Sequence, residues 1–184
     1  METSLATKPR GGVSGTLRFR YLGPDEIEVL SGLWRALHAH HTEIAPHLED
    51  LITSVDADES WRRRRSRYLD WLADPDTLAV LAERDGEEVG YAMVTLREDR
   101  KGSWERGERV AVVQTLSVLP EARGTGVGSG LLEEIRRQLG AMGVHDMELA
   151  AITTNSDAIR FYEREGFRPF VTTLVSRIGA GPHD

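Results

Sequence analysis

The stretch Leu116-Ser117-Val118-Leu119-Pro120-Glu121-Ala122-Arg123-Gly124-Thr125-Gly126-Val127-Gly128-Ser129 decides how the chain is read. A mostly apolar segment, Val110 to Val118, leads into it, and helix-forming sequence, Leu131 to Leu139, leads out. Strand, glycine-rich turn and helix start together form an anion cradle. The first N–H groups of a helix lack internal partners, and the helix dipole favours negative charge there. Glycines tolerate positive φ and let several N–H groups converge. Arg123 adds a cation with forked donors. Spacing then discriminates among folds that use such a cradle. A P-loop needs lysine after its last glycine, whereas Gly130 is followed by Leu131. Counting a Rossmann fingerprint from Gly124 puts Ser129 at the third glycine, and counting from Gly126 puts Leu131 there. Glu148, about 20 residues further on, is the one feature that suits a ribose-binding acid.

Outward from that stretch, the order of elements is legible. Thr16 to Tyr21 alternates apolar and polar residues as a half-buried strand does. From Pro24 or Asp25 to about His41, Ile27, Leu30, Trp34 and Leu37 recur at helical spacing. Glu59 to Ala73 is a second helix with Trp61, Tyr68, Leu69 and Leu72 on one face. Its arginines at 62–65 and 67 are expected mostly to face water. Thr77 to Ala82 and Val89 to Leu96 form a hairpin about Asp85-Gly86-Glu87, with Gly90 placed for a bulge or a close approach. In the loop that follows, Trp104 is expected to pack on the hairpin or cap the acceptor side. Arg109 to Val118 reads as a central strand buried on both faces. Met147 to Ile152 is the next strand, parallel to it through a right-handed crossover. Asn155 caps a short helix closed by Gly166, and Phe167 to Ile178 reads as a last strand.

Composition bounds the function. The chain has 184 residues, no cysteine and a formal net charge of −7. Its length suits one domain, expected over 16–178, with flexible tails at 1–15 and 179–184. Without cysteine there is no disulfide, thiolate metal site or cysteine nucleophile, and a reducing cytoplasm is the expected compartment. The acidic balance disfavours a nucleic-acid partner and leaves room for a cationic acceptor. No apolar run approaches a membrane span. Four of the six histidines fall within His38 to His47. No known ligand spacing matches them, so a solvated helix end is preferred and no metal is expected.

The segment Asn155-Ser156-Asp157-Ala158-Ile159-Arg160-Phe161-Tyr162-Glu163-Arg164-Glu165-Gly166-Phe167, one strand after the cradle, supplies a second motif. Together with Leu116-Ser117-Val118 and Arg123-x-x-Gly126-x-Gly128, it resembles the paired signatures of the GCN5-related N-acetyltransferase superfamily. The resemblance covers about Leu17 to Ile178. It implies an acyl-CoA N-acyltransferase fold: a mixed α/β chain whose central sheet, part antiparallel and part parallel, splays at its middle between flanking helices. It also implies transfer of an acetyl group from acetyl-CoA to a primary amine of a small molecule or peptide, by direct attack in a ternary complex. In the family, pantetheine pairs with the strand positions held here by Leu116, Ser117 and Val118. Pyrophosphate lies on the turn made here by Arg123, Gly124, Thr125, Gly126, Val127, Gly128 and Ser129. Asn155, Ala158, Phe161 and Tyr162 complete the cofactor side.

Tyr162, with a reference pKa of ~10, can donate a proton to the leaving thiolate. The plainer role for Tyr162 is packing on Phe161 and Phe167, and that for Asn155 is capping. The family borders its acceptor pocket with the segment between the first two helices, which makes His40, His41 and Glu43 candidates there, beside Gln114. Some members carry a glutamate base on the central strand, where this chain has Val110, Ala111, Val112 and Val113. The base is therefore sought in water held by Gln114 or Thr115, or in His41 or Glu43. Dimers are common in the family, so a homodimer is an expectation. A non-catalytic acyl-CoA sensor, or a transferase with another acyl group or acceptor atom, is the competing reading.

Overall fold

The computed structural model describes residues 15–99 and 102–178, so the expected tails lie outside the described residues, apart from Gly15. A sheet of five strands runs in the order β1-β2-β3-β4-β5. β1 (Leu17–Tyr21) pairs antiparallel with β2 (Leu78–Arg84), which forms a hairpin with β3 (Glu87–Glu98). The hairpin turns on Asp85 and Gly86, both at positive φ (54° and 85°), the geometry whose twist matches paired strands. β4 (Arg109–Val118) is antiparallel to β3 and parallel to the short β5 (Asp146–Leu149).

Helices cover both faces. The first helical segment divides in two: a 3-10 turn, Pro24–Leu30, runs into α1 (Ser31–Ile44). The tighter winding has a cause, because residues three apart eclipse in a 3-10 turn and Ile27 and Leu30 thereby share one buried edge. α2 (Ala57–Leu72) starts earlier than its apolar pattern. Asp56 caps it, accepting from the N–H groups of Asp58 (3.0 Å) and Glu59 (2.9 Å). α1 and α2 bury Leu33, Trp34, Trp61 and Tyr68 against Leu81, Tyr91 and Met93. α3 (Val127–Ala141) covers the other face with Leu131, Ile135 and Leu139 on Val80, Ala92, Val94 and Ala111. α4 (Ser156–Arg164) follows β5.

Two irregularities in β4 coincide. Met93 faces Thr115 while Val94 faces Val113, so Gln114 is an extra, bulged residue. Pairing with β5 also ends there, at Val113 opposite Leu149. Beyond that level β4 keeps β3 on one side as far as Val118 but has no partner on its β5 side, and this divergence is the splay of the sheet. Gly90 of β3 lies across from Val118 in this stretch: a Cβ on it would stand 2.7 Å from the Ser117 carbonyl oxygen. The strand register also shifts beside Gly90, between Ala82 and Glu83.

Three expectations are corrected. The strand expected over Met147 to Ile152 stops at Leu149, where its partner swings away. Phe167 to Ile178 carries strand-forming residues but joins no ladder among the described residues. Strand preference is realised only against a pairing edge and a covered face, and this segment has neither; Leu174 and Ile178 are 88% and 100% exposed. Trp104 neither packs on the hairpin nor caps the cleft. It is exposed and meets Phe170 edge-on, 5.3 Å between ring centres.

Candidate active site

The splay opens into a cleft of about 810 Å³ between the free end of β4, the turn before α3, α4, and the inner residues of α1 and α2. On one side the turn is shaped by backbone. Gly124 and Gly126 take positive φ (71° and 87°), and α3 starts at Val127 with no side-chain cap and no acid in its first turn. Its first intrahelical bond is Gly130 N–H to Gly126 carbonyl (2.9 Å), so the N–H groups of Val127, Gly128 and Ser129 lie ahead of the ladder. Gly128 serves packing as well: a Cβ there would sit 2.9 Å from Cζ of Phe161 on α4. Arg123 is exposed at the rim and donates from Nε to the Val118 carbonyl (3.2 Å).

α4 closes this side. The Asn155 carboxamide oxygen accepts from Ala158 N–H (3.2 Å), the capping role its sequence position allows. Glu165 ties α4 to α3, accepting from Ser129 Oγ (2.6 Å) and Arg136 Nη1 (3.1 Å). Those hydrogen bonds, that of Ser129 first, hold its carboxyl below the usual range. Tyr162 packs between Phe161 (5.3 Å) and Phe167 (5.7 Å), and burial pushes its phenol up to about 12. It is therefore a protonated donor at neutral pH.

The other side is built from side chains. Tyr68, fully buried on α2, shares hydrogen bonds with Tyr91 (2.9 Å) and Thr115 (2.7 Å), fixing α2 against β4 just past the bulge. The Gln114 amide donates to Thr95 Oγ1 (3.0 Å). Trp34, Leu37, His40, His41 and Arg64 reach the cleft from the α1–α2 face. His41 is half-buried, and desolvation first, then the charges of His40, Arg64 and His38, lower it to about 4, so its ring is neutral at physiological pH.

Among the residues expected from sequence, the cleft gathers Gln114, Leu116, Ser117, Val118, Arg123, Gly124, Gly126, Gly128 and Ser129. From the helices it adds His41, Asn155, Ala158, Phe161 and Tyr162. Three are not among its lining. The Glu43 side chain is exposed, because α1 turns it outward. Val127 points into the core, 1% exposed. The Thr125 hydroxyl donates to the Ala122 carbonyl (2.6 Å), and Thr125 can contribute only backbone. The Thr115 hydroxyl shares a hydrogen bond with Tyr68 (2.7 Å). His38 meets the Val55 carbonyl (2.9 Å), and among the described residues no group of three or more His, Asp or Glu is gathered for a metal. Glu148 is bound to Arg97 (2.9 Å) and Arg106 (2.7 Å), a structural role in place of a ribose contact.

Two arginines escaped the sequence reading. Arg84, 8% exposed at the end of β2, donates to Thr125 Oγ1 (2.7 Å) and to the Thr125 carbonyl (3.1 Å), so it braces the glycine turn from below. Arg64 turns inward to the cleft, whereas Arg62 and Arg63 pair with Glu59 and Arg65 pairs with Glu28. A signal for Arg64 existed: it lies three residues after Trp61 and four before Tyr68, on the buried stripe.

The Acetyltransferase (GNAT) family profile matches residues 34–167, which contain both the glycine turn and α4. The chain belongs to the GNAT acetyltransferase family. It is thereby an acyl-CoA-dependent N-acetyltransferase. An uncharacterized N-acetyltransferase of Mycobacterium tuberculosis is 30% identical over 137 residues, covering 74% of this chain and 78% of that protein. An aminoalkylphosphonate N-acetyltransferase of Salmonella typhimurium is 40% identical over 104 residues, covering 53% of this chain and 60% of that protein. A mycothiol acetyltransferase of Streptomyces griseus is 32% identical over 143 residues, and the match takes up 78% of this chain but 40% of that longer protein. Among solved structures, BH1408 of Bacillus halodurans superposes with a TM-score of 0.70 at 18% identity, covering 88% of this chain and 99% of that one. An aminoglycoside N-acetyltransferase in complex with CoA gives 0.64 at 18% identity, covering 95% of this chain and 100% of that one. These structural likenesses establish the GNAT fold. Among the described residues, no helix is long and apolar enough to cross a membrane.

Proposed function

We propose that the chain transfers an acetyl group from acetyl-CoA to the primary amine of a small molecule, within one ternary complex. The observation that carries this reading is the convergence on one cleft of the β4 edge left open where β5 diverges, the uncapped start of α3 and Tyr162. The residues fit such a donor. The N–H groups of Val127, Gly128 and Ser129, at the positive end of the α3 dipole, suit pyrophosphate. Leu116 to Val118, paired with β3 on one side and open on the side that β5 leaves, offers backbone groups for pantetheine amides, as an edge accepts an added strand. Asn155 and Ala158 border it from α4. When bound, acetyl-CoA supplies an activated thioester.

The chain's own groups then divide the work. A β4 N–H near Leu116 polarises the acetyl carbonyl as the amine nitrogen bonds to its carbon. The carbon–sulfur bond breaks, Tyr162 gives its proton to the departing thiolate, and solvent returns a proton to the phenolate. The amine sheds one proton to solvent, while Gln114 and neutral His41 offer acceptor atoms beside it. Tyr162→Phe tests the assignment. Thiol release under saturating substrates should fall roughly 10- to 100-fold in kcat while acetyl-CoA binds as before. Wild-type turnover by Tyr162→Phe would remove tyrosine as the acid.

A further inference from the structure

The charges on the cleft wall from α1 and α2 are lopsided. Trp34, Leu37, His40, His41 and Arg64 line it there, with Gln114 from β4, and no carboxylate is among them. Arg64 is the permanently charged group of that wall. Most arginines nearby are spent: Arg35 binds Asp58, Arg62 and Arg63 bind Glu59, and Arg65 binds Glu28. Arg64 makes no hydrogen bond or ion pair among the described residues. Aromatic rings hold it instead: its guanidinium lies 4.2 Å from the Trp34 ring centre, 5.7 Å from Tyr68 and 6.0 Å from Trp71. Ring contact fixes the plane of a guanidinium and leaves its edge donors unused, the arrangement that suits a two-oxygen anion. Because Tyr68, one turn on, bonds to Thr115, Arg64 reaches the cleft near the bulge, on the sheet face opposite α3. The pyrophosphate cradle has separate N–H donors on α3.

We propose that Arg64 binds an acid group on the acceptor, so that the substrate class is amines carrying a carboxylate or phosphonate. This deepens the transferase reading and rests on it. Recognition follows from charge and shape: the guanidinium takes two acid oxygens, Trp34 and Leu37 cover the carbon chain, and the amine points toward Gln114 and the acetyl carbonyl. The same wall disfavours polycationic acceptors, since it presents a cation and no acid to pair with them.

The full chain, given acetyl-CoA and saturating or varied 4-aminobutyrate, 3-aminopropylphosphonate, butylamine or spermidine, provides the test through initial rates of thiol release. The two acidic amines should exceed butylamine and spermidine by about 10-fold or more in kcat/KM, and the better of the two identifies the acid. Arg64→Gln should raise KM for the acidic amines roughly 10- to 100-fold, collapsing their advantage over butylamine, while the acetyl-CoA Kd stays in place. Arg64→Lys should restore part of the advantage, which a folding defect would not allow. A preference for spermidine, or an unaltered KM in Arg64→Gln, overturns the proposal. A raised acetyl-CoA Kd in that variant also overturns it and assigns the guanidinium to a cofactor phosphate. Acetyl-CoA binding without turnover of either acidic amine sinks the acceptor class alone. Absence of acetyl-CoA binding sinks the transferase reading beneath it.

Discussion

The two walls of the cleft are built from different materials. The wall formed by the turn before α3 and by α4 works through backbone: positive-φ glycines, an uncapped helix start, and a glycine where α3 meets Phe161. The wall formed by α1 and α2 works through side chains, Trp34, His41 and Arg64, set by the packing of two helices on the sheet. Backbone chemistry is generic and suits a cofactor shared across a family. Side-chain chemistry can change one residue at a time, which is how one fold serves different acceptors.

The largest effect expected from that contrast is at Gly126. Among the described residues, no heavy atom beyond its own chain neighbours lies within 4 Å of a Cβ placed there, yet φ is +87° and Gly126 lines the cleft. Gly126→Glu adds a carboxylate where phosphate should sit and strains the backbone by ~1–2 kcal/mol. Acetyl-CoA affinity measured by calorimetry should drop more than about 100-fold, with folding retained by circular dichroism. A smaller effect is expected where the backbone wall leans on a side chain. Arg84→Met removes two donors to Thr125, and the acetyl-CoA Kd should rise about 10-fold with kcat little changed. An unchanged Kd would mean the turn holds its shape unaided.

The smallest effect sharpens the other wall. His41 is held at about 4 against an ordinary 6.5, facing His38, His40 and Arg64. Because its folded value is depressed, the unfolded chain takes up the proton first, so stability is lost as pH falls from 6.5 through about 4. His41→Asn should flatten the fall of Tm over that window relative to the parent. Parallel curves for the two proteins would place His41 in solvent.

This difference between walls also governs what was legible in the sequence. Glycine spacing announces a backbone conformation directly, so the turn from Arg123 to Ser129 and the cap at Asn155 could be read without a structure, and the strand–helix–strand order followed from periodicity. Arg64 was concealed by its neighbours: in a run of arginines the outward reading is right for most, and only the stripe from Trp61 to Tyr68 marks the exception. Glu43 failed for a related reason, since proximity in sequence to His41 does not fix which way a helix turns it. Phe167 to Ile178 shows a further limit. Alternation can nominate a strand, but pairing needs a partner edge elsewhere in the fold. The bulge at Gln114 left no local signal, because it is defined by register against β3.

The central claim is that the splay between β4 and β5 holds acetyl-CoA. Isothermal titration of the full chain with acetyl-CoA, and separately with NAD and ATP, tests it most directly. One acetyl-CoA site per chain is expected, with no comparable heat from NAD or ATP. Tight binding of NAD or ATP, with none of acetyl-CoA, would contradict it.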